Sequence, residues 1–515
     1  MSDAEVRAAR GAASLYFASV LSLLLNTFYL VLLTNILPQQ QVGVVALLNV
    51  LVIGIATAAA MGIPVVGAGL SATPPAVARF LSEYVAGGNG RAARRLLLIS
   101  LLICAAISSV LALLLTQSAT ESYLSIPATP ALYAAFDAVF FAFGQVGVYS
   151  LIGTGGAARA GLVLTLSALR RYVAASALLF AGLGAAGVFQ GFMVGDLFLV
   201  VASLVLVGRG LPATGSPRTF SGLYPYMLSV LVSGLIGFGV SQSDRLIAFF
   251  QTGLGNLAVY NIAAVGASVA AFAPIAVTNA LVPILPSLGA AGSESRKIMM
   301  KNYTRYVSLV AMPAGFGLAA VSPLLLLVFG QQYAQGAPLV AVMAVAIGVT
   351  AIGSVYASGL LASGKTYLFL VGNALALVCL IAVSYVLVPV EGLLGIAIGR
   401  AGMLLVSLAA FALFSRTQRE LVIDLRGYLS SLVSSVAMFG AIYASVLLAS
   451  PHLATRTESV AFSFLMMPAG LAVFILFMWL IDGFAEEDFV FLERLLPRFL
   501  TPLIELLRRV FLTKR

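Results

Sequence analysis

Fourteen nearly unbroken apolar runs follow one another along this chain, and they leave few folds open. They cover residues 11–37, 42–63, 96–116, 130–152, 161–183, 187–208, 223–250, 257–287, 306–328, 338–362, 367–388, 393–414, 428–450 and 460–481. About 20 such residues make a helix long enough to cross a hydrocarbon core. Strands of a membrane barrel would instead alternate over about ten residues. Of the 515 residues, 61% are apolar and only 9% are charged, where a soluble domain carries about 25% charged residues. A cytosolic or secreted globular protein, a disordered chain and a nucleic-acid-binding module are therefore excluded. The expected class is an all-α polytopic membrane protein with about 14 transmembrane helices. The first run is too long for a signal-peptide core and reads as a retained helix.

The charges then set an orientation. Net charge is +10, from 28 basic and 18 acidic residues. With the N-terminus placed in the cytoplasm, the inner segments hold 23 of the 28 basic residues, and the outer segments hold one, Arg456. Lys and Arg collect on the cytoplasmic side of membrane proteins, so the split predicts a multi-pass protein of the cell membrane with both termini inside. The outer loops, such as Pro38 to Gln41 and Pro389 to Gly392, are too short for an outer catalytic domain. One histidine, His452, and two cysteines, Cys104 and Cys379, leave little material for a metal site, a His-based triad or a disulfide framework. No enzyme, cofactor or metal is expected. From Asp482 the chain becomes rich in Phe, Leu and charge, and Pro497 and Pro502 interrupt it. It reads either as short amphipathic helices on the membrane surface or as a cap over the bundle.

Two motif matches mislead. Gly359-Leu-Leu-Ala-Ser-Gly-Lys-Thr366 fits the phosphate-loop pattern, which needs a strand before it and a helix after it. Here a membrane run precedes it, and a turn with an interfacial Lys365 is expected. Gly153-Thr-Gly-Gly-Ala-Ala158 resembles half a dinucleotide fingerprint but has no βαβ unit around it. The sequon Asn302-Tyr-Thr304 lies on the cytoplasmic side, where no glycosylation occurs.

Seven ionisable residues fall inside the runs: Asp137, Arg170, Arg171, Asp196, Asp244, Arg245 and Arg400. Each costs at least about 2.5–3.5 kcal/mol near a helix centre, so each needs a partner or a wet cavity. Arg170 and Arg171 lie near the depth of Asp196. Adjacent helical residues point about 100° apart, so one aspartate is not expected to serve both arginines. The spare cation is the candidate for an anionic group. Ser229, Ser233, Gly237 and Ser241 recur every four residues and lead to Arg245. Such a stripe either packs against a helix or lines water. Ser19, Ser22, Asn26 and Tyr29 form a similar stripe in the first run. Four arginines against three aspartates give the interior a slight positive excess.

The chain also repeats itself. Leu37-Pro-Gln-Gln-Gln-Val-Gly-Val-Val45 follows the first run, and Thr252-Gly-Leu-Gly-Asn-Leu-Ala-Val-Tyr260 takes the same place about 205–215 residues later. Parallel repeats around a central site are a transporter architecture. Further elements keep a recognisable order: Arg79-Phe-Leu-Ser-Glu-Tyr84, Ser243-Asp-Arg245, Ala258-Val-Tyr-Asn261 and Val282-Pro-Ile-Leu-Pro286. Pro313, Gly330-Gln-Gln-Tyr-Ala-Gln-Gly-Ala-Pro338, Leu361-Ala-Ser-Gly-Lys365 and Pro389-Val-Glu-Gly-Leu-Leu-Gly395 continue it. With these residues, positions 11–415 resemble the Wzx-like oligosaccharide and polysaccharide flippases of the multidrug/oligosaccharidyl-lipid/polysaccharide exporter superfamily. A Pro-rich stretch (Pro64, Pro74, Pro75) and the last two helices depart from the pattern.

The resemblance implies two pseudo-symmetric six-helix lobes, residues 1–210 and 211–415, rocking around a central cavity. Helices 13–14 (416–481) and a cytoplasmic tail (482–515) follow. It implies transport of a lipid-linked oligosaccharide, an isoprenoid diphosphate glycan, from the inner to the outer leaflet. Arg170, Arg171, Arg245, Arg400, Asn26 and Ser233 would line the cavity and bind substrate. Asp137, Asp196 and Asp244 would pair with the arginines or carry a coupling ion. Partners would be membrane lipids, the lipid-linked oligosaccharide and glycan-building glycosyltransferases or a polymerase, with the protein itself a monomer and no nucleic acid involved. The alternatives are a drug/cation antiporter or lipid II-type flippase of the same superfamily, and, in another class, a membrane scaffold for envelope glycan synthesis.

Overall fold

The structure is a computed structural model that describes residues 3–60, 76–211, 222–272, 293–417, 422–453, 455–486 and 488. Among these residues there is no strand. Sixteen α-helices appear: α1 (Asp3–Ile36), α2 (Gln39–Ala59), α3 (Ala76–Ala86), α4 (Gly90–Leu115), α5 (Ser118–Leu124), α6 (Ala128–Gly153), α7 (Ala157–Phe180) and α8 (Gly184–Gly210). Then follow α9 (Leu223–Ser268), α10 (Ser293–Leu325), α11 (Ala337–Thr350), α12 (Gly353–Ala362), α13 (Thr366–Glu391), α14 (Leu393–Thr417), α15 (Leu425–Ala449) and α16 (Arg456–Leu480). Thirteen segments are long and apolar enough to span a membrane, and one of them, Pro225–Ala271, holds the seventh expected run and the start of the eighth. The expected number of about 14 is consistent with this. The Pro64–Pro75 stretch, the Val282–Pro286 turn and the tail beyond Asp488 lie outside the described residues.

The surface of α15 is the inverse of a soluble helix. Its buried positions are Gly427, Ser430, Ser431, Ser434, Ser435, Met438, Ile442 and Val446, while Leu425, Leu429, Val433, Val436, Leu447 and Leu448 are exposed. Water would reject that surface, and hydrocarbon accepts it. Some hydroxyls inside the bundle are satisfied locally: Thr34 donates to the Leu30 carbonyl at 2.8 Å, Ser108 to Cys104 at 2.6 Å and Ser203 to Leu199 at 2.6 Å, whereas those of Ser434 and Ser435 have no partner among the described residues. A side chain that returns its proton to its own helix needs no polar neighbour.

The chain forms two compact units, Met1–Asn261 and Ile262–Arg515. In the first, α6 is central and packs against α8, α2 and α4, while α7 packs between α1 and α8. α9 does not run straight. Gly253 has φ 84° and ψ 178°, a setting that glycine adopts without a Cβ clash. Tyr260 and Asn261 hydrogen-bond back to Asp244 and Arg245, 16 residues earlier. On a straight helix those residues would be about 24 Å apart, so Gly253 marks a reversal between two limbs, as the separate seventh and eighth runs require. Residues along α9 meet the rest of the first unit at several points. Phe80 meets Tyr226 edge-on at 5.6 Å, Phe238 lies beside Gly54, and Gln39 Nε2 donates to the Gly255 carbonyl at 2.9 Å.

In the second unit α10 packs against α11, α15 and α16, and α13 pairs with α14. The tenth expected run divides into α11 and α12. The phosphate-loop match falls at the end of α12. The N–H groups of Ser363, Gly364 and Lys365 go to the carbonyls of Gly359, Leu361 and Leu360 and so close the helix. They are spent on the turn, as the membrane reading of this segment anticipates, and cradle no phosphate.

One guanidinium fastens the last hairpin to α10. Arg305 Nε and Nη2 bind both oxygens of Asp488 at 2.6 Å. Its Nη1 binds Asp424 at 2.6 Å, and Nη2 also binds the Gly483 carbonyl at 2.7 Å. At the other end of the hairpin, Arg456 donates to the carbonyls of Leu327 and Val328 just beyond α10. Burial raises the Asp424 carboxyl. The Arg305 hydrogen bond, the Gly427 N–H and the charges of Arg305 and Lys301 outweigh that effect and hold it below its ordinary value. A carboxylate lowered on folding stabilises the fold above its unfolded pKa, and the contribution is lost as pH falls through its folded value. Arg305→Ala strands the buried Asp488 and is expected to cost about 3–5 kcal/mol, read as a fall in melting temperature of the detergent-solubilised chain. Below about pH 4 the wild-type melting temperature should drop more steeply than that of Asp424→Asn.

Candidate functional site

Two groups of intramembrane charges form, both within the first unit. The first joins α6, α7 and α8. Arg171 Nη1 binds Asp196 Oδ2 at 2.7 Å, and Arg171 Nη2 lies 3.8 Å from Asp137 Oδ2. Its guanidinium also lies over the Phe192 ring, 3.9 Å from the centroid. Gly191 and Gly195 make this approach possible. A Cβ on Gly191 would stand 2.2 Å from the Ala175 nitrogen, and one on Gly195 would stand 2.5 Å from Arg171 Cβ. Small residues four apart let two helix backbones close, and the side chain of α7 aimed at that strip is Arg171. Ser167 adds a hydrogen bond to the Gly195 carbonyl at 2.9 Å.

Asp137 and Asp196 are fully buried. Asp196 is satisfied by Arg171. Neither Asp137 oxygen accepts a hydrogen bond, and neither does the buried Tyr29 hydroxyl donate one. The Tyr29 ring stands beside Tyr172 (5.3 Å) and Phe192 (5.7 Å), so aromatic faces surround the charged trio.

Arg170 stands apart from this trio. Its side chain is exposed, its guanidinium stacks over Phe198 at 3.9 Å, and its remaining contact is a long 3.4 Å bond to the Leu166 carbonyl. A cation over an aromatic face gains about 0.5–2 kcal/mol and keeps its charge.

The second group is on α9. Asp244 is buried, and its neighbour Arg245 is held by Asn261 Oδ1 (2.8 Å), the Ser241 carbonyl (3.0 Å) and Gln242 Oε1 (3.0 Å). Sequence reasoning selected Asp244 and Arg245 but not Tyr260, Asn261 or Gln242 as their partners. The turn-like Thr252–Asn256 was the available signal, because a reversal there folds 260–261 onto 244–245. The serine stripe leading to Arg245 is on an open side of the helix: Ser229 is exposed, Ser233 is half-buried, and a Cβ on Gly237 would meet nothing. Asn26 on α1 is half-buried, as is Arg400 on α14 in the second unit. Among the described residues no cluster of His, Cys, Asp and Glu suits a metal ion.

Residues 157–338, which include α7, α8 and α9, match the family model described as "Polysaccharide biosynthesis protein". The fold resembles the lipid II flippase MurJ in an inward closed conformation (12% identity, 91% of this chain and 98% of that one, TM-score 0.61). It also resembles an inward-facing multidrug resistance MATE family transporter of the MOP superfamily (17% identity, 79% and 98%, TM-score 0.58). A Vibrio cholerae MATE transporter, a mutant form, aligns at 16% identity over 82% of this chain and 98% of its own (TM-score 0.53). No curated protein sequence matches the chain. The chain thus shares its fold with these proteins. The family match and the fold together agree with the resemblance to the Wzx-like flippases.

The two adjacent arginines should separate on mutation. Arg171→Ala leaves two buried carboxylates without their cation and is expected to destabilise the protein by about 3–5 kcal/mol. Arg170→Ala, at an exposed position, should cost no more than about 1 kcal/mol, the scale of its stack on Phe198. Thermal unfolding of the solubilised variants measures the difference.

Proposed function

We propose that this protein flips a lipid-linked oligosaccharide, an isoprenoid diphosphate glycan, from the cytoplasmic to the outer leaflet by alternating access. The observation that carries this reading is the uneven exposure of the intramembrane charges. Asp137, Asp196 and Asp244 are all buried, whereas Arg170 is exposed. A carrier of cationic drugs needs the reverse, with carboxylates open to the cargo. Exposed guanidinium suits an anionic headgroup, whose unaided passage would put two or more charges into hydrocarbon.

In this mechanism two lobes, residues 1–210 and 211–415, rock about the headgroup while the isoprenoid chain stays in lipid. Arg170, Arg245 and Arg400 bind the diphosphate, and Asn26 and Ser233 bind sugar hydroxyls. Arg171 is braced by Asp196. Asp137, the carboxylate that accepts no hydrogen bond, takes up and releases a coupling proton. The protein is a monomer in the cell membrane with both termini in the cytoplasm. It works beside the glycosyltransferases or polymerase that make and use the glycan, with helices 13–14 (416–481) and the tail (482–515) outside the two lobes.

Deletion of the protein should leave a lipid-linked oligosaccharide on the inner leaflet and reduce exported glycan. Complementation with Arg245→Ala should restore less than about a tenth of export, because a charge-assisted contact of about 1.5–3 kcal/mol is lost. Normal export from inserted Arg170→Ala, Arg245→Ala and the double variant would exclude the cationic mechanism.

A further inference from the structure

Asp244 and Arg245 are adjacent and of opposite charge, and on a helix such neighbours point about 100° apart. They form a loose ion pair: Arg245 Nη1 lies 3.8 Å from Asp244 Oδ1, too far for a hydrogen bond. The second limb of α9 supplies other partners to both groups. Tyr260 Oη donates to Asp244 Oδ2 at 3.0 Å, and the Arg245 backbone N–H donates to Asp244 Oδ1 at 2.9 Å. Asn261 Oδ1 takes the Arg245 Nε–H at 2.8 Å, while the Ser241 carbonyl and Gln242 Oε1 take Nη1 at 3.0 Å each.

A guanidinium has five N–H donors in a fixed fork. Three are used, all on neutral oxygens, which orient the group without cancelling its charge. The two on Nη2 meet no acceptor among the described residues, and the side chain keeps some exposure, while the Asp244 side chain is 1% exposed. We propose that Tyr260 and Asn261 are positioning residues that keep this loose ion pair from tightening into a direct hydrogen-bonded one, so that Arg245 presents its Nη2 edge to an oxyanion of the diphosphate class. Paired N–H groups of a guanidinium are suited to phosphate oxygens. The choice of a diphosphate rests on the flippase reading. The loose pairing of the two charges does not.

The experiment uses the full chain in detergent. Phenylglyoxal reacts with accessible arginine, and modification of Arg245 is followed by peptide mass spectrometry, with and without farnesyl diphosphate as a probe and farnesol as its uncharged control. Wild-type Arg245 should be modified, and farnesyl diphosphate but not farnesol should protect it. Tyr260→Phe lets Asp244 tighten its pairing with Arg245, and labelling and diphosphate affinity should both fall about tenfold, the scale of one charge-assisted hydrogen bond. Asp244→Asn added to Tyr260→Phe should restore both, a recovery that a general packing defect would not show. Asn261→Asp, which keeps the acceptor but adds a charge, should lower diphosphate affinity without lowering the melting temperature. An unreactive wild-type Arg245, equal labelling in Tyr260→Phe, or no recovery in the double variant would overturn the proposal. If labelling follows the predicted order but farnesyl diphosphate gives no protection, the positioning role stands and the isoprenoid diphosphate reading fails.

Discussion

A guanidinium in hydrocarbon must find oxygen, and the folded first unit is arranged around that requirement. Arg171 meets it through Asp196, and the backbones of α7 and α8 have to touch for the 2.7 Å bond to form. Their contact in turn depends on Gly191 and Gly195, where any side chain would collide with α7. Arg245 meets it differently, through two amide oxygens or carbonyls of its own limb and Asn261 across the reversal at Gly253. The first solution neutralises the charge and locks helices. The second fixes the direction of the charge and leaves it intact. The same residue type thus serves as brace and as candidate binding group, and the charge of its acceptors decides which.

Exposure sets Arg170 apart from both. All three intramembrane aspartates are buried, so the negative charge of the helices is directed inward to the bracing network. Arg170, stacked on Phe198, carries positive charge that remains open, and Arg245 keeps hydrogen bonds to neutral oxygens. A headgroup with two phosphates would find there the donors that it loses on leaving water. Among the carboxylates, Asp137 differs from Asp196 and Asp244 in having no donor to either oxygen, and that difference underlies its proposed part in coupling.

Much of the fold was legible in the sequence because the signal was long and repeated. Runs of about 20 apolar residues define helices whatever they pack against, and the expected runs correspond to described helices wherever the structure describes them. Short elements were lost for the same reason: α3 and α5 have 11 and 7 residues, too few to stand out between longer runs. The adjacency of Arg170 and Arg171 told that they point apart, but not which one faces Asp196. The Gly187, Gly191 and Gly195 spacing in α8 held that answer, since it marks the strip that α7 must cover. Tyr260 and Asn261 were read as part of a motif and given no role, because their contacts exist only after the chain reverses. The Arg305–Asp488 bond joins residues 183 apart, and no local pattern could announce it.

The attachment of α15 and α16 has a consequence for how this architecture can change. The hairpin resembles an appendage in sequence, coming after the repeated part of the chain and following no family pattern. Yet Arg305, on α10, has its acceptors in Asp424, Gly483 and Asp488, all of them contributed by the two ends of that hairpin. A shortened relative ending before α15 could not keep arginine at this position without placing a bare cation at the foot of α10. Loss of the hairpin would thus be felt first as an unsolvated charge on α10, before any loss of apolar packing.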